Sequence, residues 1–244
     1  MAVPDAWQDA RVTEFRHEIP MRWADLDSLN HVNNVVYLRY AENARATLSE
    51  VPPGPIGAMR IQFKRPLLLG RQPVVVTSRV EGNQVLQSIG VADSDTEFAA
   101  VEVDLGEHAA PEALNEAAQS GSIALRLTDL GGSGHVSEAQ VFELFQETRV
   151  PFINGVLTRL TPGNFVVASV EARYHRPIEW RPALETRTRV ARVGNASFVI
   201  EAQLGAEGQA FASSSAVLVG FEAAKQASRK FTEEERQSLL AAMG

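Results

Sequence analysis

Residues 22–34 (Arg-Trp-Ala-Asp-Leu-Asp-Ser-Leu-Asn-His-Val-Asn-Asn) gather two carboxylates, a histidine and three asparagines into one short polar stretch. This stretch runs directly into Val35 and a segment with helical periodicity. Val36, Tyr40, Ala44 and Leu48 recur four apart, with Tyr37 and Ala41 beside them, while Arg39, Glu42 and Asn43 take other faces. The opening turn of a helix carries unpaired backbone N–H groups and positive partial charge. A carboxylate held beside that opening can act on whatever electronegative atom the N–H groups hold, so this junction is the expected active site.

The rest of the composition narrows the chemistry. With 244 residues the chain can bury a proper core as one large domain or two small ones. It is 45% hydrophobic and 22% charged, ordinary for a globular protein. A net charge of −7 argues against a nucleic-acid partner and an anionic membrane surface, though not against a local basic groove for a phosphorylated ligand. Cysteine is absent, which excludes disulfides, thiolate metal sites and a cysteine nucleophile. No apolar run approaches the roughly 20 residues a membrane span needs. Met1 to Asp9 shows neither a basic start nor an apolar core, so a cytoplasmic location is expected.

The elements that must position the motif are legible in order. Residues 11–21 alternate as a strand with Val12, Phe15 and Ile19 as core candidates. The helix after the motif is expected to end near Val51, ahead of Pro52, Pro53 and Pro55. Strands are predicted over 61–66, 74–80, 85–91 and 98–105, with Gly82-Asn83 as a hairpin turn. Residues 106–120 shift to Ala, Glu and Pro and read as a linker holding one or two helical turns.

The pattern then begins again. Arg22, Asp25, Leu26, His31, Val32 and Arg45 are answered by Arg126, Asp129, Leu130, His135, Val136 and Arg149, each 104 positions on. Phe63-Lys64-Arg65-Pro66 is answered by Tyr174-His175-Arg176-Pro177, now 111 positions on. A repeat of this length suits a duplicated domain rather than a solenoid. The second copy has an opening strand at 123–127, a glycine-rich turn at 131–134 and a helix carrying Val141, Leu144 and Phe145 on one face. Strands at 165–174, 184–193, 198–204 and 209–221 follow, then a tail helix over 232–243 with Thr232 and Glu235 as a capping box. Hairpin-linked strands with one apolar-faced helix per half predict an α+β fold in which each helix buries against an antiparallel sheet.

Asp25-Leu26-Asp27, the spacing of four to His31-Val32-Asn33-Asn34, and Tyr37-Leu38 with Glu42 to Arg45 resemble the signature of hotdog-fold acyl thioesterases. The motif is similar to that of the 4-hydroxybenzoyl-CoA thioesterase-like group and of plant acyl-ACP thioesterases; the Arg65-Pro66 strand end also suits them. The resemblance implies two tandem hotdog domains, each a sheet wrapped around a long central helix, packed as an internal pseudo-dimer. The expected bounds are 1–108 for the motif-bearing domain, 109–120 for the linker and 121–244 for a catalytically degenerate second domain. It further implies that Asp27 is the catalytic carboxylate and that the backbone N–H near Asn33 or Asn34 holds the thioester carbonyl oxygen. The second half departs from the pattern: Gly131 stands at the Asp27 position and Ser137-Glu138 replaces Asn33-Asn34. The first half departs in the short, proline-rich segment before Ile61.

Thioester hydrolysis needs a carboxylate to activate water or attack the carbonyl, and donors for the oxyanion. Thiolate leaves readily, so neither a metal nor a cofactor is called for. Taken alone, Asp27 reads as a turn or capping residue; within the whole motif it reads as catalytic. His31 either orients Asp27, water or ligand, or is a structural histidine. The two readings weigh equally, since His135 persists where the carboxylate is lost. Asn33 either shapes the loop or touches substrate, Asn34 is expected to act through its backbone amide, and Asp25 to fix the turn. Arg65, with Lys64 and Arg71, is placed to meet phosphates of the carrier or is simply surface. Glu42 and Arg45 lie three apart as a potential ion pair. The reading is an acyl-CoA or acyl-ACP thioesterase with one site per chain between the halves. Its rival is a non-catalytic acyl-CoA-binding hotdog protein. Exposed sheet edges leave room for a homodimer of such chains.

Overall fold

A computed structural model describes residues 13–27, 30–157, 159–160, 163–222, 224–225 and 227–243. The core candidate Val12 and the N-terminal residues read for a leader lie outside them. Strand β1 (Glu14–Ile19) precedes a 3-10 turn at Trp23–Asp25 and helix α1 (Asn34–Arg45). Strands β2 (Ile56–Phe63), β3 (Val74–Glu81), β4 (Gln84–Val91) and β5 (Ala99–Leu105) follow. Short β6 (Glu112–Ala113) leads to β7 (Gln119–Ala124), a 3-10 turn at Leu127–Asp129 and helix α2 (Glu138–Val156). Then come β8 (Phe165–Tyr174), β9 (Ala183–Val193), β10 (Ser197–Ala206), β11 (Gln209–Glu222), β12 (Ala227–Ser228) and helix α3 (Glu233–Ala241).

One antiparallel sheet runs in the order β1-β3-β4-β5-β2-β8-β11-β10-β9-β7. Read outward from the β2–β8 junction, the two arms list strands from corresponding places of the sequence repeat in the same order. Helix α1 packs on β3, β4 and β5, helix α2 on β9 and β10, and the two helices also touch each other. Helix α1 is buried on nearly every side, with Val36, Tyr37, Leu38, Tyr40, Ala41 and Ala44 in the core and Arg39 and Asn43 exposed. A short helix enclosed in this way draws its stability from packing more than from propensity. Among the described residues no helix is long and apolar enough to cross a membrane.

Four boundaries differ from expectation. Strand β2 spans Ile56–Phe63 rather than 61–66, because the chain pairs with β5 from Ile56 and with β8 from Ala58, directly after the proline-rich segment. Helix α1 stops at Arg45 rather than near Val51. The Thr47 hydroxyl donates to the Ala44 carbonyl at 2.7 Å and the Thr47 N–H turns back on it too, taking the acceptor that the Leu48 amide would need to continue the helix. The second half's opening strand lies at Gln119–Ala124 rather than 123–127, because the 3-10 turn at Leu127–Asp129 claims the chain beyond it. The segment 106–120 forms no helix, only a single hydrogen-bonded turn in which the Ala118 N–H donates to the Asn115 carbonyl at 3.2 Å. Its Pro111 lacks an amide donor and its backbone is taken by the second half. Strand β6 pairs with β11, the Asn115 amide donates to Gln203 Oε1 at 2.7 Å, and His175 Nδ1 lies 2.6 Å from the Ala110 carbonyl. The linker is therefore laid down against β8, β10 and β11.

Candidate active site

The polar turn before α1 is a closed hydrogen-bonded frame. The Asp25 carboxylate closes the 3-10 turn by accepting the Arg22 N–H at 2.7 Å, and it takes the Tyr40 hydroxyl at 2.6 Å through its Oδ2. Asn33 N–H donates to the Asp25 carbonyl at 2.9 Å, and Val32 N–H to the Leu67 carbonyl at 2.8 Å. These bonds tie the turn to α1 on one side and to the extension of β2 on the other. The expectation that Asp25 fixes the turn is met, with Tyr40 as a partner not foreseen.

Asp27 is half-buried at the far side of this frame. Its Oδ1 accepts the His31 backbone N–H at 3.0 Å, and its own N–H donates to the His31 carbonyl at 2.8 Å. His31 thus holds the carboxylate through its main chain. Asn33 is the N-cap of α1: its side-chain oxygen accepts the Val35 N–H at 3.0 Å. Among the described residues no acceptor meets the Asn34 N–H, the first helical amide. Arg65 is exposed and stands two residues before Leu67, without a guanidinium bond to the turn among the described residues.

Two tyrosines complete the surroundings. Tyr37 Oη accepts the Leu67 N–H at 2.9 Å, and burial, with a smaller contribution from the nearby Asp27 charge, pushes its pKa up to about 12. Burial and then the Asp25 bond drive the Tyr40 hydroxyl higher still. Both phenols stay protonated at neutral pH, so they act as hydrogen-bonding groups and not as bases. Their spacing on the helix marked them as core; that the second half carries Val141 and Leu144 at the same positions was the available sign of a polar duty.

The second half repeats the frame without the acid. Arg126 N–H donates to Asp129 Oδ2 at 2.8 Å, Gly131 N–H to the His135 carbonyl at 2.7 Å and Val136 N–H to the Ile178 carbonyl at 2.9 Å. His135, like His31, contributes a carbonyl to this frame, so the persistence of histidine in both halves fits a structural role. The start of α2 borders a cleft of about 280 Å³ lined by Gly131, His135, Ser137, Glu138, Tyr174 and, from the first half, Glu42. Burial and the facing Glu138 raise the Glu42 carboxyl above the ordinary range. Glu42 makes no close ion pair with Arg45. Arg45 is buried beneath α1, where its guanidinium donates to Gln87 Oε1 at 3.3 Å and Gln87 in turn donates to the Ala41 carbonyl at 2.9 Å.

Two family models match the chain. The acyl-ACP thioesterase C-terminal domain matches residues 9–103, and the thioesterase-like superfamily matches residues 125–239. The chain belongs to the thioesterase families. It is a thioester hydrolase, with thioesterase sequence in both halves. No curated protein sequence matches this thioesterase. A putative oleoyl thioesterase from Lactobacillus plantarum superposes with a TM-score of 0.66 at 9% identity, covering 87% of this chain and 98% of that one. The 12:0-ACP thioesterase from Umbellularia californica gives 0.65 at 13% identity, covering 85% and 94%. An acyl-ACP thioesterase from Bacteroides thetaiotaomicron gives 0.56 at 10% identity, covering 85% and 97%. These likenesses establish the fold of the thioesterase: an antiparallel hotdog-type sheet with a few helices.

Proposed function

We propose that the chain hydrolyses an acyl thioester, carried on coenzyme A or on an acyl carrier protein, at one site beside the opening of α1. The observation that carries this is the half-buried Asp27 carboxylate held by the His31 amide next to a helix whose first N–H, on Asn34, has no acceptor among the described residues. In this reading water attacks the thioester carbonyl carbon as Asp27 takes its proton. The carbonyl oxygen gains charge against the Asn34 N–H and the helix opening. Collapse expels the thiolate, which receives the proton, giving free acid and thiol. Asn33 positions the amide as N-cap, and Arg65 is the candidate contact for phosphate on the carrier.

The same reading takes residues 1–108 and 121–244 as tandem hotdog domains joined by 109–120 and packed as an internal pseudo-dimer. Support comes from the mirrored strand order and the continuous sheet across β2 and β8. The second domain then serves as structural partner, because Gly131 offers no carboxylate. The rival, a protein that binds an acyl-CoA without turning it over, rests on that loss of the acid in one half.

The test is hydrolysis of a panel of acyl-CoAs and acyl carrier protein thioesters by the wild type and Asp27→Asn. A loss of about 10²–10⁴ in kcat with an unchanged melting temperature is expected. Equal rates would remove Asp27 from the mechanism. Calorimetric binding of intact acyl-CoA without turnover of any thioester would favour the rival.

A further inference from the structure

Among the described residues two ion pairs cross between the halves, and both join residues in equivalent places of the repeat. Arg39 Nη2 lies 2.6 Å from Glu143 Oε2, and the two residues are 104 positions apart, the offset of the helices. Arg60 Nη2 lies 3.3 Å from Glu171 Oε2, and these are 111 positions apart, the offset of the strands. In the β2–β8 ladder the pairing is symmetric about Arg60↔Glu171: Ala58 faces Arg173 and Gln62 faces Ser169. A position that meets its own equivalent sits on a two-fold axis. In a symmetric pair of identical halves each such position would face itself, Arg against Arg or Glu against Glu, which is destabilising both across strands and between helices.

We propose that these axial positions make the seam self-selecting: the first half's face fits the second half of the chain and rejects a second copy of itself. The inference rests on the tandem reading above. Pairing of two first halves would bring Arg39 against Arg39 and Arg60 against Arg60; pairing of two second halves would stack Glu143 and Glu171 in the same way. At the strand site each half softens the clash from its own side, Glu102 beside Arg60 at 2.5 Å and Arg173 beside Glu171 at 3.0 Å, so the helix pair Arg39–Glu143 carries more of the preference. The side chains at the seam are partly exposed, so the effect is a modest preference summed over two pairs and weakened by salt. Its consequence for the site is compositional: every seam contains one half with Asp27 and one half with Gly131.

The experiment uses the full chain. Arg39→Glu/Arg60→Glu makes every axial residue acidic, and Glu143→Arg/Glu171→Arg makes every one basic. Each double variant should keep the oligomeric state of the wild type by native mass spectrometry and melt several degrees below it. The four-fold swap should regain most of the loss. Refolded together at low salt, the acidic and basic variants should form a mixed dimer that differently labelled wild-type chains do not form. Unchanged melting temperatures, or a mixture in which acidic and basic chains do not associate, would overturn the proposal. The cysteine-free chain allows a separate control, Gln62→Cys/Ser169→Cys. An intramolecular disulfide there reports the tandem packing without using charge, and its failure to form would count against that packing and not against the charge argument.

Discussion

The two caps offer an internal comparison that separates stability from chemistry. Asn33 Oδ1 accepts the Val35 N–H at 3.0 Å at the opening of α1, and Ser137 Oγ accepts the Gln140 N–H at 3.3 Å at the opening of α2. Removing either side chain strands one first-turn amide at a cost of about 1 kcal/mol. For a chain of this size that lowers the melting temperature by about 2–4 °C. The Asn33 cap also sets the direction of the Asn34 amide, and losing a well-aimed oxyanion donor costs about 10²–10³ in rate. Asn33→Ala should therefore melt a few degrees early and lose roughly ten-fold or more in kcat on the best thioester, since the donor is misaimed rather than deleted. Ser137→Ala should show a similar melting shift with kcat intact. Differential scanning fluorimetry and a thiol-release assay run on the same samples give both numbers. If Ser137→Ala slows turnover as much as Asn33→Ala does, or if Asn33→Ala turns over normally, the oxyanion site is not the start of α1.

Tyr40→Phe removes a 2.6 Å hydrogen bond to the Asp25 carboxylate. A bond to a charged acceptor contributes about 1.5–3 kcal/mol, so the variant should melt roughly 4–10 °C lower, and a shift under 2 °C would deny the tether its role. Glu42 has its pKa raised in the folded chain by burial and Glu138. Its ionisation therefore erodes stability as pH rises above the unfolded carboxyl value, so Glu42→Gln should gain in melting temperature over wild type at pH 7 and lose that gain at pH 4. The same variant should keep full hydrolysis if Asp27 alone does the chemistry. Glu235 is shifted the other way, its carboxyl held down chiefly by the Arg229 guanidinium, with 2.6 Å between Nη2 and Oε1. That contribution is present above the unfolded carboxyl value and is lost as pH falls through the lower folded value. Glu235→Gln should thus destabilise at pH 7 and differ little from wild type in acid, read from thermal melts across pH 3–7.

Much of this architecture could be read from periodicity and punctuation. The strands after each helix, the Gly82 turn with its φ of +61° and the Thr232–Glu235 capping box follow from local rules, because each is decided by residues adjacent in the chain. The 104-residue offset likewise located Asp129 and His135 in a second frame of the same shape. What escaped was decided by distant partners. The 106–120 segment has an Ala- and Glu-rich composition that suits a helix, yet Gln203 and His175 from the second half capture its backbone. Thr47 ended α1 early through one hydroxyl. At the candidate site, the His31 amide bonds the Asp27 carboxylate and Asn33 caps α1, both contacts made within the motif itself. The function of Tyr40 and the destination of Glu42 depend on which elements lie opposite, and helical phase alone does not carry that information.

The two turns also differ in what occupies the helix face behind them. The first is riveted to its helix by a phenol and a carboxylate, Tyr40 and Asp25; the second has Leu144 in place of the phenol, and only apolar packing can act there. A polar rivet works in one geometry, whereas an apolar contact adjusts to its neighbours at small loss. Evolution acting on such a chain would drift freely through one copy while the other stays locked, so the duplicated half becomes the place where new sequence can accumulate without disturbing the old reaction.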